Sequence, residues 1–227
     1  MMNAQPVAMQ YGTISPDGIR VAYGAVVPTG RPLYIWDSRL GTTDIVMPDC
    51  GCRPLSWTPD GTGLLVYRPD LHPQPIARLD LKTHSIIDIL RSATDDLTAA
   101  RVAPNGARVA FATQSGKLFV APFRNSGLTP EEDWTQVSQN ASGFFWSANG
   151  RRIYFGAPAR EGTRILSEQF DRMDDPAGTP TEVARTDWNP AFNSVGGSHI
   201  VGGGSRIVGS TGSVSSDLWT ASLKGRR

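Results

Sequence analysis

The sequence predicts an all-β chain wound as a β-propeller of about five four-stranded antiparallel blades, the last one irregular and the ring incompletely closed. Three observations predict it. The stretch Ile14 to Tyr23 (ISPDGIRVAY) returns in worn form as Trp57 to Tyr67 (WTPDGTGLLVY), Val102 to Phe111 (VAPNGARVAF) and Trp146 to Phe155 (WSANGRRIYF), with an eroded fifth copy at Ser194 to Val201. The turn glycines of these copies, Gly18, Gly61, Gly106, Gly150 and Gly197, lie 43, 45, 44 and 47 residues apart, a period that belongs to propeller blades. Each clear copy also couples a tight-turn signal to a strand. Proline presets φ, Asp or Asn bonds its own backbone and glycine accepts positive φ; the apolar or alternating residues behind the turn then pair with the strand before it.

Taken in order, the approximate blades are 8–50, 51–93, 97–139, 141–185 and 188–227, forming one domain over residues 1–227. The first runs from its hairpin through a turn at Pro28-Thr29-Gly30 into Leu33 to Asp37, then past Leu40-Gly41-Thr42 into Asp44 to Met47. In the second, strands are expected at Pro54 to Thr58, Gly63 to Tyr67, Ile76 to Leu81 and Ser85 to Leu90. The third offers Ala99 to Ala103, Ala107 to Thr113, Leu118 to Phe123 and Trp134 to Ser138. Its long loop ends Thr129-Pro130-Glu131-Glu132-Asp133, which suits a short helix capped by threonine with a solvated acidic trio. The fourth has Gly143 to Ser147, Arg151 to Gly156, Arg164 to Phe170 and Glu182 to Ala184, with a polar insertion at Asp171 to Thr179. The fifth opens weakly at Trp188 to Phe192 and continues as Ser198 to Val201, Ser205 to Ser210 and Asp217 to Leu223. Gly202, Gly203 and Gly204 interrupt it, and it lacks an outer strand, for which Gln5 to Gln10 are the candidate although their spacing to Ser15 is tight. A ring left open would expose a sheet edge for self-association.

Composition bounds the function classes. The chain has 227 residues, enough for one sizeable core, and its 24 glycines and 17 prolines fit many short strands. With 22 basic against 21 acidic residues, nothing favours an electrostatic grip on nucleic acid. No apolar run approaches the roughly 18 residues of a membrane helix, so membrane insertion is not expected. The start has no basic region followed by an apolar core, so no signal peptide is read. The expected compartment is cytoplasmic by default, or periplasmic or secreted if a leader was removed. The two cysteines, Cys50 and Cys52, are read as small buried or loop residues. A pair so close rarely forms a stable disulfide, and it cannot by itself complete a four-ligand zinc site.

The residues Ser15-Pro16-Asp17-Gly18, Trp57-Thr58-Pro59-Asp60-Gly61, Leu33-Tyr34-Ile35-Trp36-Asp37 and Asp217-Leu218-Trp219 resemble the WD-repeat-like propeller repeat of TolB and of the propeller domains of tricorn and prolyl-oligopeptidase-type peptidases. Copies three and four depart modestly from that pattern and copy five badly. The resemblance covers nearly the whole chain and implies the fold. For function it implies a non-catalytic propeller scaffold for protein or peptide recognition. The alternatives are the gating propeller of a peptidase whose hydrolase domain lies elsewhere, and a propeller that binds carbohydrate or another small ligand.

No catalytic signature, cofactor motif or metal set is read. There is no G-x-S-x-G elbow, Walker loop or H-E-x-x-H. His72, His84 and His199 fall in different blades at no metal spacing. Asp17 and Asp60 occupy equivalent turns, where local backbone bonding accounts for them. Trp57 and Trp146 precede their turns and are expected to pack between blades. In a propeller, the loops between blades and those joining second to third strands gather on one rim. That places the candidate binding residues at Arg31, His72, Asp95, Asp96, Lys117, Arg160, Glu161 and Trp188.

Overall fold

A computed structural model describes residues 8–170, 178–186, 206–210 and 218–222. The first sheet holds β1 (Ala8–Ile14), β2 (Arg20–Val26), β3 (Leu33–Asp37) and β4 (Thr42–Met47). The second holds β5 (Arg53–Trp57), β6 (Gly63–Tyr67), β7 (Ile76–Asp80) and β8 (Ile86–Leu90). The third is β9 (Leu97–Val102), β10 (Arg108–Thr113), β11 (Leu118–Pro122) and β12 (Thr135–Ser138). The fourth is β13 (Phe144–Trp146), β14 (Arg152–Pro158), β15 (Thr163–Gln169) and β16 (Thr181–Thr186). In each of the four, chain order equals strand order and neighbours run antiparallel. From the expected fifth unit the described part is the ladder of β17 (Arg206–Ser210) with β18 (Leu218–Ser222), in register from Arg206 opposite Ser222 to Ser210 opposite Leu218. The stretches Trp188 to Phe192, Ser198 to Val201 and Gly202 to Gly204 lie outside the described residues. These meanders, stacked side by side, make an all-β propeller.

One turn is built four times. The N–H of Gly18 donates to Ser15 O at 2.9 Å, that of Gly61 to Thr58 O at 2.9 Å, that of Gly106 to Ala103 O at 2.8 Å and that of Gly150 to Ser147 O at 2.9 Å. All four glycines have φ between 67° and 73°, a region closed to most side chains. In three copies a hydroxyl ties the turn together. Ser15 Oγ, Thr58 Oγ1 and Ser147 Oγ each donate to the side chain two residues on, and each accepts the N–H that opens the next strand. Local bonding therefore does account for Asp17 and Asp60.

Strands buried on both faces explain the near-continuous apolar runs. Along β6, Leu64 and Val66 pack into the core shared with the first blade, while Leu65, between them, packs into the core shared with the third. Along β10, Val109 and Phe111 turn toward the second blade and Ala110 toward the fourth. A blade two strands deep in apolar residues on each face cannot hide them alone, so the neighbouring blade completes each core. Burying one such Leu or Val completely is worth about 1.5–3 kcal/mol.

Three local expectations are corrected. Cys50 and Cys52 form a disulfide, because Gly51 turns the chain at φ 59° and leaves their Cα atoms 5.0 Å apart, inside the disulfide range. Ala8 to Gln10 are spent within the first blade, paired with Gly24 to Val26, so that part of Gln5 to Gln10 is not an outer strand of the last blade. The segment after Thr129 is only a 3-10 turn at Glu131–Asp133 without a side-chain cap, since Thr129 Oγ1 donates instead to Pro122 O at 3.3 Å. Its acidic trio lies at the surface, where Glu131 accepts the Ala93 N–H at 2.6 Å and Asp133 pairs with Arg124 at 2.7 Å.

Candidate functional site

In an antiparallel meander the first-to-second turn and the second-to-third loop lie at opposite ends of the second strand. The rim residues and the repeated turn therefore belong to opposite ends of the blades. At the rim, loops of the second and third blades meet on Asp96. Its Oδ1 accepts the Gln74 N–H at 2.7 Å and lies 3.5 Å from His72 Nδ1, and its carbonyl accepts the Gln114 N–H at 2.8 Å. Next to it, Asp95 accepts a hydrogen bond from Ser115 Oγ. Burial pushes the Asp95 carboxyl up, but the hydroxyls of Ser115 and Thr113, the Ser115 N–H and the charge of Lys117 together bring it below its ordinary value. The fold thus gathers His72, Asp95, Asp96 and Lys117. Arg31, whose N–H reaches Asp49 at 3.3 Å, is exposed, as are Arg160 and Glu161, and among the described residues no bond joins these three to that group. Trp188 lies outside the described residues.

At the turn end there is a cavity of about 400 Å³. Among the described residues its lining repeats with the blades. Thr13, Ser56, Arg101 and Phe145, each five residues before a turn glycine, contribute one ring. Ile14, Trp57, Val102 and Trp146, one residue later, contribute a second. Pro16, Pro59, Pro104 and Ala148, inside the turns, form the lip. The two rings come from β1, β5, β9 and β13, the first strand of each of the four described four-stranded sheets, and β1 packs on β5 as β5 packs on β9.

The tryptophans are walls, each tied to the preceding blade. Trp57 Nε1 donates to Thr13 O at 3.0 Å, and Trp146 Nε1 donates to Arg101 O at 2.9 Å, each bond crossing to the preceding blade. Both rings are buried, which matches their expected place between blades. Behind Trp57 the Arg20 guanidinium sits 4.6 Å from the ring and donates to Gly61 O at 3.0 Å. With their N–H groups engaged, the indoles offer apolar surface rather than hydrogen bonds.

Arg101 carries the only formal charge among the described lining residues. Burial pushes the pKa of its guanidinium below the ordinary arginine value. Sequence reasoning passed over this end of the molecule. The available signal was the repeat itself: an arginine stands where the other clear copies carry Thr13, Ser56 and Phe145.

No family model matches the chain, and no curated protein matches it significantly. Solved structures do. TolB from Acinetobacter baumannii superposes with a TM-score of 0.68 at 19% identity, over 96% of this chain and 53% of that one. A protein solved as TolB from Agrobacterium tumefaciens gives a TM-score of 0.71 at 14% identity, over 96% and 78%. The β-propeller domain of the Trilobed protease from Pyrococcus furiosus, described as having an open velcro topology, gives 0.58 at 11% identity, over 97% and 71%. The chain spans about half the length of the Acinetobacter protein. At these identities the likeness shows the fold, and the fold is a β-propeller whose blades are built like those of TolB.

Proposed function

We propose that the chain is a non-catalytic propeller scaffold that recognises a protein or peptide at the turn end of its blades. One observation carries this reading: four blades present the same three positions to a single cavity of about 400 Å³. Concave sites with mostly apolar walls and a few polar groups are the usual form of binding sites. The lip is made of three prolines and Ala148, rigid or small residues that leave the opening free of long side chains. A peptide entering there meets walls that mix apolar side chains with a few polar groups, and loses little to side-chain ordering on the protein's part.

The test is selection from a displayed random-peptide library on the full chain, followed by binding to Ala148→Trp, which plugs the lip from an exposed turn position. Selected peptides are expected to bind the parent chain and to weaken at least about tenfold on the variant, a loss of about 1.4 kcal/mol. Enrichment of no peptide, or of peptides indifferent to the plug, contradicts the reading. The second reading, a gating propeller of a peptidase, draws on the likeness to the Trilobed protease domain. Its signature would be a G-x-S-x-G hydrolase domain in the same open reading frame.

A further inference from the structure

We propose that the turn-end cavity is a carboxylate site, in which the Arg101 guanidinium receives an acidic side chain or the C-terminal carboxylate of the bound peptide; this rests on the reading of the cavity as a peptide site. The chemistry starts from isolation of charge. Arg101 is the next-to-last residue of β9, its backbone carbonyl fixed by Trp146 Nε1, and its side chain has no ion pair or hydrogen bond among the described residues. An arginine in water needs no partner, but the half-buried Arg101, in a cavity walled by Trp57, Val102 and Phe145, has given up part of its hydration with no ion pair in return. The same cost is visible in its lowered pKa, whose cause is burial.

An arginine remains charged at neutral pH and presents a planar fork that matches a carboxylate with two parallel hydrogen bonds. A second vacant group stands in the same wall. Ser56, at the equivalent position in the neighbouring blade, has a buried hydroxyl with no hydrogen-bond partner among the described residues. Between them they supply a fork and a hydroxyl, and the remaining lining side chains are apolar apart from Thr13. A sugar acid would need hydroxyl partners around its ring, and the lining offers few. A peptide chain with one carboxylate suits a mouth whose lining carries one cation. Charge complementarity therefore selects an acidic peptide, with the guanidinium acting as an anchor that neutral peptides cannot use.

The test captures randomised acetylated hexapeptides on the immobilised full chain, in a C-terminal acid series and a C-terminal amide series, with oligogalacturonate as a third probe. The parent chain should retain carboxylate-bearing peptides at least about tenfold over neutral ones; the amide series tells a side-chain carboxylate from a terminal one. Arg101→Gln should lose that preference and Arg101→Lys should keep part of it, with unchanged melting temperatures showing that both fold. Peptides retained without acidic preference, or a preference that survives Arg101→Gln, overturn the carboxylate site and leave the peptide reading standing. Retention of no peptide overturns both, and retention of oligogalacturonate alone makes the ligand a sugar acid. If Arg101→Gln fails to fold, the preference must instead fall with rising salt and under Arg101→Lys, or the proposal is wrong.

Discussion

At the scale of single residues, the repeated turn is held by short polar side chains whose charge state matters only at low pH. The Asp17 carboxyl is held below its ordinary value of 3.8, first by the Ser15 hydroxyl and then by the Ile19 N–H. Asp60 is lowered from 3.8 chiefly by the Thr58 hydroxyl, against an opposing push from burial. For a carboxyl lowered in the folded chain, the stabilisation is fully present above the unfolded value. It is lost as pH falls through the folded value. Copies three and four already carry Asn105 and Asn149 at this position, and their Oδ1 atoms accept the N–H groups of Ala107 and Arg151 at 3.1 Å each. The double variant Asp17→Asn, Asp60→Asn should therefore keep the turn at neutral pH and soften the decline in stability below about pH 3.8. Urea unfolding from pH 7 to pH 2 measures this. An acid limb as steep in the variant as in the parent would count against the account.

At the scale of the strand and its turn, the third-to-fourth hairpins of the first two blades are the same device with different residues at one position. Asp37 accepts the N–H groups of Arg39 and Leu40 on Oδ1, and the chain leaves the turn through Gly41 at φ 65°. Asp80 accepts those of Lys82 and Thr83, which holds its carboxyl down to about 2, and the chain leaves through His84 at φ 58°. A side chain in that left-handed region costs about 1 kcal/mol relative to glycine. His84→Gly should thus stabilise the chain, by about 0.5–1 kcal/mol in denaturant midpoint at constant m-value. A neutral or lower midpoint would mean that the exposed histidine makes a contribution the turn geometry does not reveal.

These elements also mark how far the sequence could be read. The strand pairs of the first four blades were legible because Pro-Asp-Gly and its variants fix where each hairpin folds. The two-sided burial of β6 and β10 likewise shows in runs such as Leu64-Leu65-Val66. Single departures were not legible. Nothing local announces that Gly51 bends the chain enough to join Cys50 to Cys52, or that Thr129 spends its hydroxyl on Pro122 O rather than on a helix cap. The cavity escaped for another reason. Its residues are 43 to 45 apart in the chain, and they meet only when blades are set around an axis. His72, Asp95, Asp96 and Lys117 lie in loops, and the bonds of Asp96 to Gln74 through its carboxylate and to Gln114 through its carbonyl show that this residue pins two loops together.

For the whole molecule, each core is shared between two blades, so the chain is held by interfaces rather than by independent units. Repeats of this kind could equally well stack along a line, and what distinguishes the account is that they turn about an axis, so that Thr13, Ser56, Arg101 and Phe145 face one cavity. Among the described residues no helix is long and apolar enough to cross a membrane.

The direct measurement is of distances by pulsed electron paramagnetic resonance between spin labels placed two at a time at Ile19, Thr62, Ala107 and Arg151, each immediately after a turn glycine. A radial array predicts equal neighbour distances and a first-to-fourth distance well short of about three times that spacing. Separations that grow in step with the number of blades between the labels would contradict it, because the four turns would then have no common mouth to surround.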